Sequence, residues 1–167
     1  MRWLNPQRQL VTVATLFLLS LGVEAKGLAD IGWIEFVDVE KGQIRFEAKI
    51  DTGADVSSIN ARFIRRFVRD DEEWVQIVLV NNNGKKIVLE KPVIRYARIK
   101  RKQAESIERP VVRFNICLGN IARRVEVNLS KRKNFKYKML IGRNYLRGTY
   151  LVDSSKEHTT TPGCPYD

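Results

Sequence analysis

The sequence is poor in residues that hold metal ions or nucleotide phosphates. Its 167 residues include one histidine, His158, and two cysteines, Cys117 and Cys164. A catalytic zinc site needs about three nitrogen, oxygen or sulfur ligands, and the chain has no His-Glu-x-x-His pattern. It also lacks a Gly-x-x-x-x-Gly-Lys-Ser/Thr loop, which would cradle nucleotide phosphates. These absences argue against zinc-dependent and ATP-dependent hydrolysis, and we expect no metal and no cofactor.

Two cysteines are too few for a disulfide framework. Cys117 lies in an apolar, strand-like run, where a buried free thiol is the usual finding. Cys164 lies in a polar tail that contains proline. A long-range disulfide between them is the alternative, and the sequence leaves both open.

The N-terminal apolar run is shorter than a membrane span. Residues 10–23 are mostly apolar, whereas a transmembrane helix needs about 20 such residues. Arg2 and Arg8 precede the run, and small residues follow it around Ala25. This order predicts a secretory signal in residues 1–25 and therefore an exported protein, periplasmic or secreted. An uncleaved signal that anchors the protein in the inner membrane is the alternative.

The chain has fewer acidic than basic residues. Thirty Lys and Arg against nineteen Asp and Glu give a net charge of +11. In the cytoplasm such an excess would indicate nucleic-acid binding, but predicted export argues against a nucleic-acid partner. The remaining explanations of the positive charge are binding to an anionic envelope surface, binding of an acidic substrate, or simple solubility.

Short alternating segments, separated by turn signals, indicate a β-rich chain. Residues 61–69 fit a helix or a strand, 144–148 suggest one helical turn, and 154–167 read as a polar, disordered tail. The pattern favours an all-β barrel or sandwich. The predicted strands are 32–39, 43–50, 74–80, 86–89, 93–99, 111–118, 125–129 and 138–141.

Residues 50–55, Ile-Asp-Thr-Gly-Ala-Asp, are the most specific chemical feature of the chain. The alternating strand before them delivers the Asp51 carboxylate at its end. Thr52 can bond a neighbouring backbone group and stiffen the turn. Gly53 lets the backbone approach closely and offers its N–H to the carboxylate. Because Asp-Thr-Gly also makes ordinary turns, the motif gains weight only with a second element.

That second element lies near the C-terminus, where an apolar run at 139–141 precedes Gly142, Arg143 and Asn144. With Asp-Thr-Gly, it resembles the retropepsin family of aspartic peptidases, in which Ile-Ile-Gly-Arg-Asn-like residues lie near the end of one lobe. The resemblance covers about residues 32–152. More narrowly, the chain is similar to the bacterial retropepsin-like group often labelled "ATP-dependent zinc protease", a label that the missing ligands contradict.

The resemblance implies a single-lobe, all-β acid-protease barrel with one short C-terminal helix. It divides the chain into a signal peptide (1–25), a peptidase domain (26–153) and a tail (154–167). Aspartic peptidases use two aspartates that share a proton, one as base toward water and one as acid toward the carbonyl oxygen. Because the chain has one Asp-Thr-Gly, the resemblance implies a homodimer in which two Asp51 carboxylates meet across a two-fold axis.

The resemblance also assigns roles around this loop. Thr52 and Gly53 join Asp51 in the catalytic motif. Asp55 and Arg143 are implied to form a bidentate pair that fixes the loop to the C-terminal element. The remaining supporting residues are Ala54, Gly142 and Asn144.

Two departures from the family pattern affect substrate and activity. The hairpin at 95–112, in the position of the flap, has no glycine, and its tip is charged. A second flap candidate carries Asn83-Gly84 at its tip. A charged flap suggests an acidic or extended polar peptide as substrate. The second departure is the C-terminal dimer strand of the family, which is unclear here because the polar tail after Asp153 lacks alternation. The missing flap glycine and the unclear dimer strand support the alternative of a catalytically silent module that binds peptides or an envelope polymer.

Overall fold

The computed structural model describes residues 27–101 and 104–166, and side chains outside 99–105. The predicted signal segment therefore lies outside the described residues. Nothing helical in the described ranges has the length and hydropathy to cross a bilayer. The elements are β1 (Ala29–Val39), β2 (Ile44–Ile50), β3 (Ser57–Arg69), β4 (Glu72–Val80), β5 (Lys86–Pro92), β6 (Arg95–Arg101), β7 (Ala104–Leu118), β8 (Ile121–Ser130), β9 (Met139–Ile141), α1 (Arg143–Leu146) and β10 (Tyr150–Glu157).

Six strands close into a barrel in the order β1–β2–β9–β3–β8–β7 and back to β1. Closure depends on Val37–Val39 of β1, which pair with β2 on one side and with β7 on the other. β2 and β9 run parallel, with Ile50 opposite Ile141. The two strands therefore end side by side, which brings the segments that follow them together. The predicted all-β barrel with one short C-terminal helix is confirmed.

Alternation along β2 fills the barrel as predicted. Ile44, Phe46, Ala48 and Ile50 are buried, whereas Arg45 and Lys49 between them are exposed. Burying one large aliphatic or aromatic side chain stabilises the fold by roughly 1.5–3 kcal/mol. Other fully buried members of the core are Ile59, Ile77, Leu79, Phe114, Ile116, Leu118, Leu129 and Tyr145.

The ambiguous segment 61–69 is a strand. It is the outer half of β3, which leaves the barrel and pairs with β4, and β4 in turn pairs with β5. Phe67 lies opposite Trp74 and stacks on it, with ring centroids 6.4 Å apart. A spacing of four residues, as between Phe63 and Phe67, suits a strand as well as a helix, so the spacing could not discriminate.

The charged stretch predicted as a connection between two strands is itself strand. β6 and β7 form an antiparallel ribbon in which Arg98 faces Glu108, and the two side chains form an ion pair with a 3.4 Å separation. Because this ribbon is exposed, its residues lack the apolar alternation that marks a buried strand.

The polar tail is ordered, so the prediction of a disordered segment after residue 153 is wrong. β10 runs to Glu157 and pairs in parallel with the start of β1. Backbone hydrogen bonds hold β10 against β1, and polar side chains do not prevent these bonds from forming. Beyond the strand, the His158 ring stacks on Phe36 with centroids 4.5 Å apart, and its Nε2 lies 3.0 Å from Glu47 Oε1.

The tail is also covalently fixed, because Cys117 of β7 forms a disulfide with Cys164. Their Cα atoms lie 6.0 Å apart. The free-thiol interpretation of Cys117 is therefore wrong, and the alternative left open by the sequence is the structure observed. A sequence pattern could not decide this because the two residues are 47 positions apart.

A buried carboxylate holds the segment between β10 and the disulfide. Glu35 of β1 has no exposed surface. Its oxygens accept hydrogen bonds from the backbone N–H of Gly32 at 2.7 Å and from the backbone and hydroxyl groups of Thr159 and Thr160 at 2.5–3.0 Å. Burial raises the pKa of Glu35, but the hydrogen bonds outweigh burial and leave the pKa below its ordinary value of 4.5. Glu35 thus binds the tail as an anion.

This contact makes tail attachment sensitive to acid. Because the pKa of Glu35 is lower in the folded chain, its contribution to stability is complete above pH 4.5 and is lost as the pH falls through the folded value. We expect Glu35→Gln to lower the free energy of unfolding by about 1–3 kcal/mol at pH 7 and to flatten its decline in acid. Denaturant titrations from pH 7 to 3 measure both effects. Glu72→Gln, at an exposed site, is the control; an unchanged acid decline in Glu35→Gln would contradict the assignment.

Candidate active site

The Asp-Thr-Gly loop begins where β2 ends. The Asp51 N–H donates to the Ile141 carbonyl at 2.8 Å, which extends the pairing of β2 and β9 by one bond. The Ala54 N–H donates to the Asp51 carbonyl at 3.2 Å and closes the turn. The Gly53 N–H donates to Asp51 Oδ1 at 3.1 Å. Both turn bonds come from the loop backbone, so the loop itself orients the carboxylate.

The segment after β9 packs directly against this loop. The Arg143 N–H donates to the Ala54 carbonyl at 2.8 Å, and the Asn144 N–H donates to the Asp55 carbonyl at 3.0 Å. Gly142 makes this approach possible, because a Cβ at that position would lie 2.8 Å from the carbonyl carbon of Val56. Its backbone, with φ −94° and ψ 178°, suits any residue. Space alone therefore demands glycine here.

The Asn144 side chain, in α1, connects two strands, β3 and β8. Its Oδ1 accepts the backbone N–H and the hydroxyl of Ser57, both at 3.0 Å. Its Nδ2 donates to the Glu126 carbonyl on β8 at 2.8 Å. The Ser57 hydroxyl in turn accepts the Gly142 N–H at 3.0 Å. Ser57 is fully buried, and sequence reasoning missed it because a serine after a turn carries no specific signal.

Asp55 and Arg143 form the ion pair that the resemblance implied, with different geometry. Arg143 Nη2 bonds Asp55 Oδ1, but Nη1 donates to the Thr52 carbonyl at 2.7 Å. The guanidinium is therefore divided between the two sides of the loop and is not bidentate to the carboxylate. Because the Asp55 side chain is 83% exposed, the pair holds loop geometry more than it adds stability.

The apex of the loop faces outward in the single chain. Thr52, Gly53 and Asp55 are exposed, and Asp51 is half-buried. The chain thus presents the Asp51 carboxylate, oriented by the Gly53 N–H, on an outward-facing loop. Its second predicted catalytic carboxylate would have to come from another copy.

A hollow of about 410 Å³ opens beside Asp51. Residues on β1, on β2 and in the connection 131–138 between β8 and β9 surround it. Its other lining side chains are mainly cationic or aromatic, and no sequence motif signals that they converge. The hollow is lined by the cations of Lys49, Arg132 and Lys136 and by the rings of Trp33, Phe135 and Tyr137.

Arg132 is the most constrained cation of this hollow. Its Nε donates to the Tyr137 carbonyl at 3.2 Å, and its guanidinium carbon lies 4.5 Å from the centroid of the Phe135 ring. Burial and the nearby charge of Arg109 lower the pKa of Arg132, and the attraction of Asp51 opposes them without cancelling them. Positive charge is therefore in excess beside the carboxylate.

The second flap candidate touches the same connection. Asn82, in the turn between β4 and β5, donates from Nδ2 to the Lys136 carbonyl at 3.0 Å. Asn81 shapes the turn by accepting the N–H groups of Asn83 and Lys85 at 3.0 and 2.8 Å. At the other candidate, β6–β7, residues 102–103 lie outside the described residues.

Known proteins share both the sequence pattern and the fold. A family model named RimB-like, described as retropepsin-like aspartic endopeptidase RimB, matches residues 31–162. A crystal structure of a protein of unknown function from Legionella pneumophila is 29% identical, with a TM-score of 0.69; the match covers 80% of this chain and 98% of that one. The match at 31–162 includes every residue of the Asp-Thr-Gly loop and the Gly-Arg-Asn element.

Curated relatives carry a different name. A probable alpha-L-glutamate ligase of Shewanella pealeana is 40% identical over 113 residues, which are 66% of this chain and 25% of that protein. A protein of the same name from Desulfotalea psychrophila is 30% identical over 138 residues, 81% of this chain and 29% of that protein. The chain thus spans a quarter to three-tenths of the length of these relatives.

Proposed function

Because the chain belongs to the RimB-like family of retropepsin-like aspartic endopeptidases, we propose that it hydrolyses peptide bonds as a homodimer. Water is activated between two Asp51 carboxylates, one from each subunit. The observation that carries this proposal is the Asp51 carboxylate itself, which its loop orients at an outward-facing apex. Binding of peptides or an envelope polymer without hydrolysis is the outcome that would favour the silent module.

The chemistry follows from sharing one proton between two carboxylates. The ionised Asp51 removes a proton from water as the oxygen attacks the peptide carbonyl carbon, and the protonated Asp51 gives its proton to the carbonyl oxygen. As the C–N bond breaks, the leaving amine takes the proton that the first Asp51 removed from water, and the second Asp51 recovers the proton from the hydroxyl of the intermediate. Gly53 holds its carboxylate through the 3.1 Å bond to Oδ1. In the proposed dimer, Thr52, which is exposed in the single chain, bonds its counterpart and joins the two loops.

We also propose export to the periplasm or beyond. The N-terminal segment has the order of a secretory signal, and disulfides persist mainly in oxidising compartments, as the Cys117–Cys164 bond would require. Anchoring by an uncleaved signal is the alternative, and the net charge of +11 would favour an anionic envelope surface.

An acidic peptide is the substrate class that we propose. The curated relatives are named for a ligase of L-glutamate, and this chain is strongly basic. A basic enzyme attracts and concentrates acidic peptides near its surface. Because this chain matches only 25–29% of the length of these relatives, the match by itself is no support for ligase activity in this chain.

The homodimer predicts how the rate depends on protein concentration. While dimer is scarce, the initial rate should rise faster than linearly with total protein, and it should become proportional once dimer dominates. Cleavage of a quenched-fluorescent acidic peptide across a wide dilution series, alongside sedimentation equilibrium, measures both curves. The protein concentration at which specific activity is half-maximal should equal the concentration at which half of the protein is dimer. If the initial rate were strictly proportional to protein concentration at concentrations where sedimentation shows monomer, the two-copy site would be ruled out.

A further inference from the structure

The hollow beside Asp51 is oriented toward the same side of the barrel as the carboxylate. Lys49 stands two residues before Asp51 and so points to the same face of the chain. Leu140, which pairs with Lys49 across the β2–β9 ladder, also lines the hollow. A peptide that presents its scissile bond to Asp51 therefore places a neighbouring side chain over this hollow.

The three cations of the hollow have no anionic partner of their own. Within residues 27–101 and 104–166, neither Lys49, Arg132 nor Lys136 forms an ion pair with a carboxylate. Other cations of the described residues do form such pairs: Arg45 pairs with Asp38 at 2.6 Å and Arg69 with Glu90 at 2.6 Å. A hydrogen bond with Tyr137 and the more distant charges of Glu157 and Glu47 raise the pKa of Lys136. The hollow thus concentrates positive charge that no carboxylate within ion-pair distance neutralises.

Aromatic rings hold these cations in place. The Arg132 guanidinium lies over Phe135, and the Lys136 ammonium lies 5.1 Å from the centroid of the Tyr137 ring. Trp33 meets Tyr137 edge-on, with centroids 6.1 Å apart. Such a site suits a side chain whose methylene groups contact the rings while its carboxylate reaches the cations.

Arg132 is positioned to receive that carboxylate. Its backbone N–H donates to Asn60 Oδ1 at 2.8 Å, and its Nε donates to the Tyr137 carbonyl. Its two Nη groups donate to no acceptor among the described residues. A guanidinium fixed at Nε and free at Nη matches a carboxylate better than a mobile lysine does.

We propose that this hollow is a specificity subsite that selects a glutamate or aspartate side chain next to the scissile bond, with Arg132 as its main contact and Lys49 and Lys136 beside it. The inference rests on the proposed peptidase function and adds the residues that choose the substrate. Attraction for the acidic side chain must exceed its repulsion from Asp51, and three cations against one carboxylate meet this condition.

The test compares peptides that differ in one carboxylate. N-acetylated, C-amidated fluorescent peptides of one sequence carry Glu or Gln at each position around the cleavage site, so that side chains supply the only carboxylates. At one position, wild type should cleave the Glu peptide with a kcat/KM about tenfold or more above that of the Gln peptide. A third peptide, whose only carboxylate is its C-terminus, should gain nothing; a preference for it alone would overturn the side-chain subsite.

Variants assign the preference to the hollow. Arg132→Gln and Lys49→Gln should each reduce the Glu/Gln ratio, and the ratio within one variant is independent of how much active dimer it forms. Lys133→Gln is the matched control, because Lys133 lies in the same connection and does not line the hollow. Should Arg132→Gln fail to fold, Lys49→Gln and Lys136→Gln decide together. An unchanged ratio in folded Lys49→Gln and Lys136→Gln would overturn the proposal.

Binding separates this inference from the peptidase function. Asp51→Asn protein should bind the labelled Glu peptide more tightly than the Gln peptide in fluorescence anisotropy, and Lys49→Gln added to it should reduce the difference. If wild type cleaves nothing but this binding preference is present, the peptidase proposal fails and the subsite stands. If wild type cleaves both peptides equally, and binding is also equal, the subsite fails and the peptidase stands.

Discussion

Replacing Asp51 by asparagine is expected to lower kcat/KM for peptide cleavage by about 10³-fold or more, because the amide can neither accept the proton of the attacking water nor share one with its counterpart. The fold should be unaffected. Asparagine keeps the shape of the side chain, and its amide oxygen can still accept the Gly53 N–H that reaches Asp51 Oδ1 at 3.1 Å. Cleavage assays and thermal unfolding, on the same preparation, measure the two expectations.

Asp70→Asn is the matched control for this substitution. Asp70 lies in the turn between β3 and β4 with φ of 52°, a conformation that asparagine adopts readily. It should cleave as wild type does. Asp51→Asn protein that retained wild-type activity would refute the assignment of the catalytic carboxylate, whatever the family.

Mixing the two proteins tests whether each site needs two Asp51 residues. If subunits exchange freely, equal amounts of wild type and Asp51→Asn leave roughly a quarter of the dimers with both carboxylates. At a fixed total concentration that saturates the dimer, activity should fall to roughly this fraction of the all-wild-type value. A fall to one half would mean that each chain works alone.

Gly142→Ala is expected to have the second largest effect, on stability and activity together. The added Cβ would meet three backbone atoms: the carbonyl carbon of Val56 at 2.8 Å, the nitrogen of Ser57 at 2.9 Å and the carbonyl oxygen of Ala54 at 3.0 Å. Backbone cannot rotate away as a side chain can, so the two segments must separate. We expect a loss of about 1–3 kcal/mol in the free energy of unfolding, and loss of most cleavage as the loop moves.

Gly27→Ala provides the comparison, because an added Cβ at Gly27 meets nothing within 4 Å. Denaturant unfolding should give this variant the wild-type midpoint. If Gly142→Ala were as stable and as active as Gly27→Ala, the close approach of the two segments would be irrelevant to the site.

The sequence predicted those parts of the fold in which one face of a strand is buried and the other face is exposed to solvent. β2 shows this in Ile44, Phe46 and Ala48, which alternate with Arg45 and Glu47. β1 alternates only weakly because it is covered on both faces: even Glu35 is fully buried. β10 carries no such signal, since its pairing with β1 depends on the backbone and not on side-chain alternation.

The candidate site also has one part that the sequence predicted and one part that it did not. Asp51 and Arg143 each lie in a short, contiguous motif, and resemblance to a family is enough to associate the two motifs. The hollow has no such motif. Trp33 and Lys49 lie side by side in the β1–β2 hairpin. Arg132 reaches them from the connection that leads into β9, the strand that pairs with β2. A sequence pattern records neighbours along the chain, so it cannot record this convergence.

The disulfide also gives the molecule a covalent ring. The chain from Cys117 to Cys164 is closed by the bond between them, and the ring contains the exposed connection 131–138 as well as Arg143. A proteolytic cut inside the ring opens the ring but releases no fragment. Both sides of the Asp55–Arg143 contact therefore stay on one covalent body after such a cut, and the oxidised, cut chain keeps the residues of the candidate site together.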